Sequence, residues 1–287
     1  MLAMPIKTLR LERDGLAFDA LTCGVPEDPL VLFLHGFPQF AWAWTPILQA
    51  VAGAGFWAVA VDQRGYADGA RPPKVADYHI DRLVEDVFGF ADGLGARRFH
   101  LVGHDWGGIL AWRAAADHPE RLLSLSVIST PHTDAMLEAI AHDPAQTEMS
   151  AYIGFFRLPD GAAEAGMLSD GAARLRSAYR GMLDPEDLER HVERLSRPGV
   201  LTAALNWYRA LDFEARIGPV AVDTLFVWGS ADHALGPVAA AATADYVTGP
   251  YRFERLEGAS HWLLEERVTE VAQFLLEHLG QARAKAA

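Results

Sequence analysis

Hydrophobic positions follow two rhythms along the chain. Residues 7–13 and 16–22 alternate apolar with polar around Asp14-Gly15, which reads as a β-hairpin. A later run, 30–34, is apolar without a break, and 56–61, 100–102, 124–128 and 224–228 are similar. Strands apolar on both faces suit a parallel sheet buried beneath helices. Segments of helical spacing lie between them at 41–52, 81–94 and 108–116. The last helix is the clearest, with Leu264, Val268, Val271, Leu275 and Leu279 at three- and four-residue steps. The expected class is α/β, a mostly parallel sheet with helices on both faces.

The alternation stops between Pro131 and Gly218, where no strand-like run occurs. Asp184-Pro185 makes a good helix start, an N-cap followed by proline at the first helical position. We read 131–218 as an all-helical cap inserted into a core formed by 1–130 and 219–287. A cap over the carboxyl ends of the strands would enclose a dry pocket where ligands of open α/β sheets usually bind.

Composition narrows the partners. Lys plus Arg number 25 against 38 Asp plus Glu, a formal net charge of -13. That balance argues against nucleic acid or an anionic membrane as a partner. Cys23 is the single cysteine, so neither an internal disulfide nor a cysteine zinc site can form; a reducing compartment fits and the cytoplasm is expected. Residues 1–6 are too short for a signal-peptide core, and no 18-residue apolar stretch suggests a membrane span. Gly93-Leu94-Gly95 follows a helix rather than a strand, so it is not a dinucleotide loop. No His/Asp cluster has metal-ligand spacing. Neither cofactor nor metal is expected, and a homodimer is allowed but not dictated.

Chemistry concentrates at Gly103-His104-Asp105-Trp106-Gly107-Gly108. A strand ends, a polar residue sits in a glycine-flanked turn, and a helix begins: the nucleophile-elbow pattern with aspartate in place of serine. The plainer reading makes Asp105 a cap for the following helix. A carboxylate is already ionised at neutral pH. It suits displacement at a saturated carbon, leaving an alkyl ester that water must cleave. His261, after the strand at 252–256, is the candidate base. Asp232, after the strand ending at Trp228, is the candidate orienting acid, with Asp134 as runner-up. The order Asp105, Asp232, His261 is nucleophile, acid, base, as this fold uses it. The loop His35-Gly36-Phe37-Pro38 should supply an oxyanion donor, the N–H of Phe37, beside that of Trp106. Pro38 suits a cis peptide. His35 and His104 read as structural, and His233 as an exposed neighbour.

His35-Gly36-Phe37-Pro38, Asp62-Gln63-Arg64-Gly65-Tyr66, the Asp105 elbow, Asp232 and His261 together resemble the epoxide hydrolases of the α/β-hydrolase superfamily, over essentially the whole chain. The turn after Tyr66, Ala67-Asp68-Gly69, departs from the usual continuation. The resemblance implies two cap tyrosines that donate to the epoxide oxygen. Tyr152, in Ala151-Tyr152-Ile153-Gly154-Phe155-Phe156, matches the segment of the first, and Tyr208, in Asn206-Trp207-Tyr208-Arg209, that of the second. The implied partners are water and a small apolar epoxide, aryl or alkyl. Motif adjacency suggests Phe37, Trp106, Phe155, Phe156, Trp207, Leu235 and Trp262 as pocket lining. The elbow is shared with haloalkane dehalogenases, which leaves a haloalkane or haloacetate dehalogenase as the alternative. A non-catalytic ligand-binding module on the same scaffold is the third reading.

Overall fold

The computed structural model describes residues 4–286, so the first three residues of the apolar 1–6 stretch lie outside it. The strands are β1 (Lys7–Arg13), β2 (Leu16–Cys23), β3 (Leu30–Leu34), β4 (Trp57–Val61), β5 (Phe99–His104), β6 (Leu122–Ile128), β7 (Thr224–Gly229) and β8 (Tyr251–Leu256). They form one sheet in the order β1-β2-β4-β3-β5-β6-β7-β8. The β1/β2 hairpin and the β2/β4 pair are antiparallel, and every later pair is parallel.

Residues of a strand point alternately to opposite faces, and the two apolar sets find different helices. Leu32, Leu34, Val59, Val61, Leu101 and Val127 pack with α2 (Ile80–Gly93) and α3 (Trp106–Asp117). Val31, Phe33, Ala58, Ala60, Val102 and Val227 pack with α1 (Thr45–Gly53) and the terminal helix. That is why β3 and β4 are apolar without interruption.

Between β6 and β7 the chain is helical: α4 (Thr133–His142), α5 (Pro144–Met149), α6 (Tyr152–Phe156), α7 (Ala162–Ala178), α8 (Pro185–Ser196) and α9 (Val200–Arg209). Pro185 does open α8, capped by Asp184, whose carboxylate accepts from the Asp187 N–H. Helix α7 is broken inside, with Asp170, Gly171 and Ala172 at positive φ. One tie closes this segment on itself, and a second joins it to the loop after β7. Buried Asp134 accepts the N–H groups of Ile217 and Gly218 at 2.9 and 3.0 Å. Gln146 donates to the Ala234 carbonyl and accepts from the Gly236 N–H. The helix α10 (Pro237–Ala242) follows β7. The expected terminal helix is divided at Arg267 into α11 (Leu263–Glu266) and α12 (Val268–Ala286).

Candidate active site

The loops that follow β3, β5, β7 and β8 leave the carboxyl edge of the sheet together. Asp105 occupies the bend between β5 and α3 with φ 51 and ψ -121. A non-glycine residue there stores on the order of 1–3 kcal/mol and persists only where its surroundings enforce it. The glycines do the enforcing. A Cβ on Gly103 would lie 2.1 Å from the Gly107 carbonyl oxygen, and one on Gly107 would lie 2.1 Å from that of Leu34. Strand, helix and the β3 loop therefore close on Asp105 from three sides. Gly36 belongs to the same packing, since a Cβ on it would sit 2.3 Å from Asp105 Oδ1.

The Asp105 side chain makes no capping bond to the first turn of α3. Its Oδ1 accepts the Phe37 N–H at 2.6 Å. Its Oδ2 lies 3.6 Å from His261 Nε2. Burial pushes the carboxyl pKa up, but His261, His104 and the Trp106 N–H outweigh it and hold it below the usual range. Asp105 is thus an anion with one oxygen held by the Phe37 amide and the other facing the imidazole.

His261 Nδ1 meets Asp232 Oδ2 at 2.8 Å. The other Asp232 oxygen accepts the N–H groups of Ala234 and Leu235 at 2.8 and 3.0 Å, which fixes the carboxylate. Burial lowers the His261 pKa, yet the carboxylates of Asp232 and Asp105 outweigh it and raise the value to about 10. In the resting protein His261 is an imidazolium between two anions. The His261 carbonyl is itself held by His104 Nε2 at 3.0 Å and Ser129 Oγ at 2.9 Å. His104 is therefore a support for His261. His35 supports its own loop in the same way, since Gln63 donates its N–H to His35 Nε2 and its amide to the His35 carbonyl. Burial lowers both histidines, His35 to about 3 and His104 to about 4, so both are neutral.

Above Asp105 lies a cavity of about 760 Å³. Tyr152 and Tyr208 both border it, with ring centroids 6.3 Å apart. Tyr208 is clamped edge-on by Trp106 at 5.0 Å, Phe37 at 5.4 Å and Phe156 at 4.9 Å. Burial, and then the charge of Asp105, raise both phenols above their ordinary range, so each keeps its proton. Phe37, Phe155, Phe156, Trp262, Met149 and Met167 supply apolar wall. Among the described residues no group of three or more His, Cys, Asp or Glu is placed to hold a metal ion, and no helix is long and apolar enough to cross a membrane.

A family model described as "alpha/beta hydrolase fold" matches residues 29–268. Epoxide hydrolase A of Mycobacterium tuberculosis is 31% identical, the match covering 94% of this chain and 96% of that protein. Human epoxide hydrolase 4 is 32% identical over 96% of this chain and 79% of its own length. Among solved structures, epoxide hydrolase A from Mycobacterium thermoresistibile superposes with a TM-score of 0.83 at 29% identity, covering 96% of this chain and 98% of that one. A Bacillus megaterium epoxide hydrolase crystallised with an inhibitor gives 0.86 at 26% identity, covering 95% and 100%. The chain belongs to the epoxide hydrolases of the α/β-hydrolase superfamily.

In this epoxide hydrolase three residues expected in the pocket wall lie elsewhere. Trp207 turns from the cavity and donates its Nε1 to the Arg64 carbonyl at 2.9 Å. Successive helical residues project about 100° apart, so a Tyr208 that faces the cavity forces its neighbour away. The Trp106 indole packs edge-on against Trp207 and Tyr208, and the two tryptophans border a separate, small void. Leu235 is spent on its main chain, its N–H going to Asp232 and its carbonyl taking Trp228 Nε1. The reverse holds for His233. It is not merely an exposed neighbour but borders the cavity, its ring 6.1 Å from that of His261. Asp134, the alternative acid, is committed to the Ile217 and Gly218 amides. Arg174, Ser177 and Arg180, around the end of α7, line the mouth without having been signalled by any motif.

Proposed function

We propose that this enzyme opens an epoxide to a vicinal diol through a covalent ester on Asp105. Asp105 Oδ2 attacks one ring carbon, the carbon–oxygen bond of the ring breaks, and the departing oxygen takes a proton from Tyr152 or Tyr208. Oδ1 stays with the Phe37 N–H. Esterification removes the charge of Asp105 beside His261, so the imidazolium loses one of the two anions that hold its proton and gives that proton up, through water, to the tyrosinate, which restores the phenol and leaves a neutral imidazole. His261, oriented by Asp232, then takes a proton from water. The hydroxide adds to Cγ, and the negative charge collects on Oδ1 where the Phe37 and Trp106 amides stand. The Cγ–Oδ2 bond breaks and His261 returns a proton to the leaving alkoxide, giving the diol.

The observation that carries this reading is the shared cavity: an ionised carboxylate on its floor and two protonated phenols on its roof. A three-membered ether needs both at once, attack at carbon and proton donation at oxygen. The apolar wall favours aryl or alkyl epoxides. A dehalogenase would instead need donors aimed at a departing halide, and the Trp106 indole is turned toward Tyr208 and Trp207. The test is a panel of aryl epoxides, alkyl epoxides and haloalkanes assayed for diol and for halide. Diol from epoxides is the expected result; halide release with no diol would support the dehalogenase reading, and tight binding without turnover the binding module.

A further inference from the structure

The loop that carries Phe37 is fastened on its far side by a contact outside the reacting centre. Gln39 is fully buried. Its Nε2 donates to Glu265 Oε1, on α11, four residues after His261. The remaining oxygen of each partner, Gln39 Oε1 and Glu265 Oε2, is buried with no hydrogen-bond partner among the described residues. Two orphan acceptors on one contacting pair are costly, because a buried oxygen without a donor loses its hydration and gains nothing. A single proton removes both deficits. A carboxylic acid is a donor and an acceptor, and so is a primary amide. Protonated on Oε2, Glu265 can donate to Gln39 Oε1 while accepting from Gln39 Nε2.

We propose that Glu265 is a positioning residue that holds the oxyanion loop through a protonated, two-bond acid–amide pair with Gln39, and that losing this proton releases the loop. The surroundings favour the neutral acid. Burial raises the Glu265 pKa to about 8, against the Gln39 hydrogen bond and the positive His261. From α8, Asp187 adds to the rise. Tyr179, after α7, donates its hydroxyl to the Pro38 carbonyl at 2.7 Å and is itself pushed upward, in small part by Glu265. His191 of α8 packs at a tilt against Trp42 at 5.0 Å, and the Arg190 guanidinium lies over the same ring at 4.2 Å. Gln39 is two residues from Phe37, whose N–H must meet Asp105 Oδ1. Ionisation of Glu265 leaves a carboxylate oxygen beside the Gln39 carbonyl and removes one of the two bonds of the Gln39–Glu265 pair.

The kinetic part rests on the covalent route proposed above; the spectroscopic part does not. With a pKa of about 8, the locked fraction falls about tenfold between roughly pH 7 and pH 9. Single-turnover ester hydrolysis should therefore show a descending alkaline limb of about that size. Glu265→Gln restores both bonds without a proton, as an amide–amide pair, and should keep the neutral-pH rate while losing that limb. Infrared difference spectra of the wild-type protein should show a protonated-carboxyl band that disappears with the same midpoint and is missing from Glu265→Gln. A limb that persists unchanged in Glu265→Gln would overturn the proposal. So would the lack of a protonated-carboxyl band titrating near pH 8 in the wild type, whether or not the variant folds. An enzyme inactive on epoxides but carrying the band would sink the epoxide reading and leave the pair standing.

Discussion

Replacing Tyr208 with Phe separates the two chemical steps. The ring is held by Trp106, Phe37 and Phe156 at 4.9–5.4 Å, and phenylalanine keeps those edge contacts. The variant should fold as the wild type does and lose one donor. That donor faces an oxygen that becomes an alkoxide while the ring opens, and a hydrogen bond to a charged group is worth about 1.5–3 kcal/mol. Converted at about 1.4 kcal/mol per factor of ten, opening should slow by about 10- to 150-fold. Tyr152 remains, so opening should not vanish. Hydrolysis of the Asp105 ester makes no use of the phenol and should change little. Stopped-flow tryptophan fluorescence with enzyme in excess resolves the steps, since Trp106 adjoins Asp105 and Trp262 adjoins His261. Equal slowing of both steps, or unchanged opening, would refute the assignment.

Other outcomes follow from the same geometry. Gly36→Ala puts a Cβ 2.3 Å from Asp105 Oδ1; it should cost at least ~10² in turnover, as loss of an oxyanion donor does, and near-normal steady-state kinetics would contradict the packing. Asp134→Ala strands two N–H groups that now donate to it, so urea unfolding should show a loss of roughly 2–4 kcal/mol while the rate of ester hydrolysis stays close to wild type; a catalytic defect without a stability loss would make Asp134 the acid. Because esterification removes one of the two anions that raise His261, the ascending limb of the hydrolysis-step pH profile should have an apparent pKa below about 10. Asp232→Asn should lower it further, as the second anion is removed; an ascending limb that moves upward in the variant would count against His261 as the base.

The elbow is legible in the chain because its demands are local. A sharp bend between strand and helix needs Gly103 and Gly107 within a few residues of Asp105, and no distant partner is required to recognise it. Asp232 and His261 are legible because each follows a strand, and parallel strands deliver their following loops to one edge. The pocket wall is less readable, because nearness in sequence does not give direction. Trp207 and Tyr208 are neighbours on one helix and therefore face different ways. Trp106 contributes its backbone to Asp105 while its indole packs behind Tyr208. Leu235 is used for its amide rather than its side chain. Arg174 and Arg180 reach the cavity from within and just past a helix broken by three left-handed residues, a path that no periodicity in the sequence signals. The Gln39–Glu265 contact joins residues 226 positions apart and becomes visible only once the sheet brings the β3 and β8 loops together.

The covalent ester is decided by where one oxygen atom goes. A single turnover in heavy-oxygen water, with enzyme in excess over epoxide, should yield unlabelled diol, and the peptide containing Asp105 should gain the label. Label found in the diol and missing from that peptide would mean that water attacks the epoxide directly, and Asp105 would not be the nucleophile.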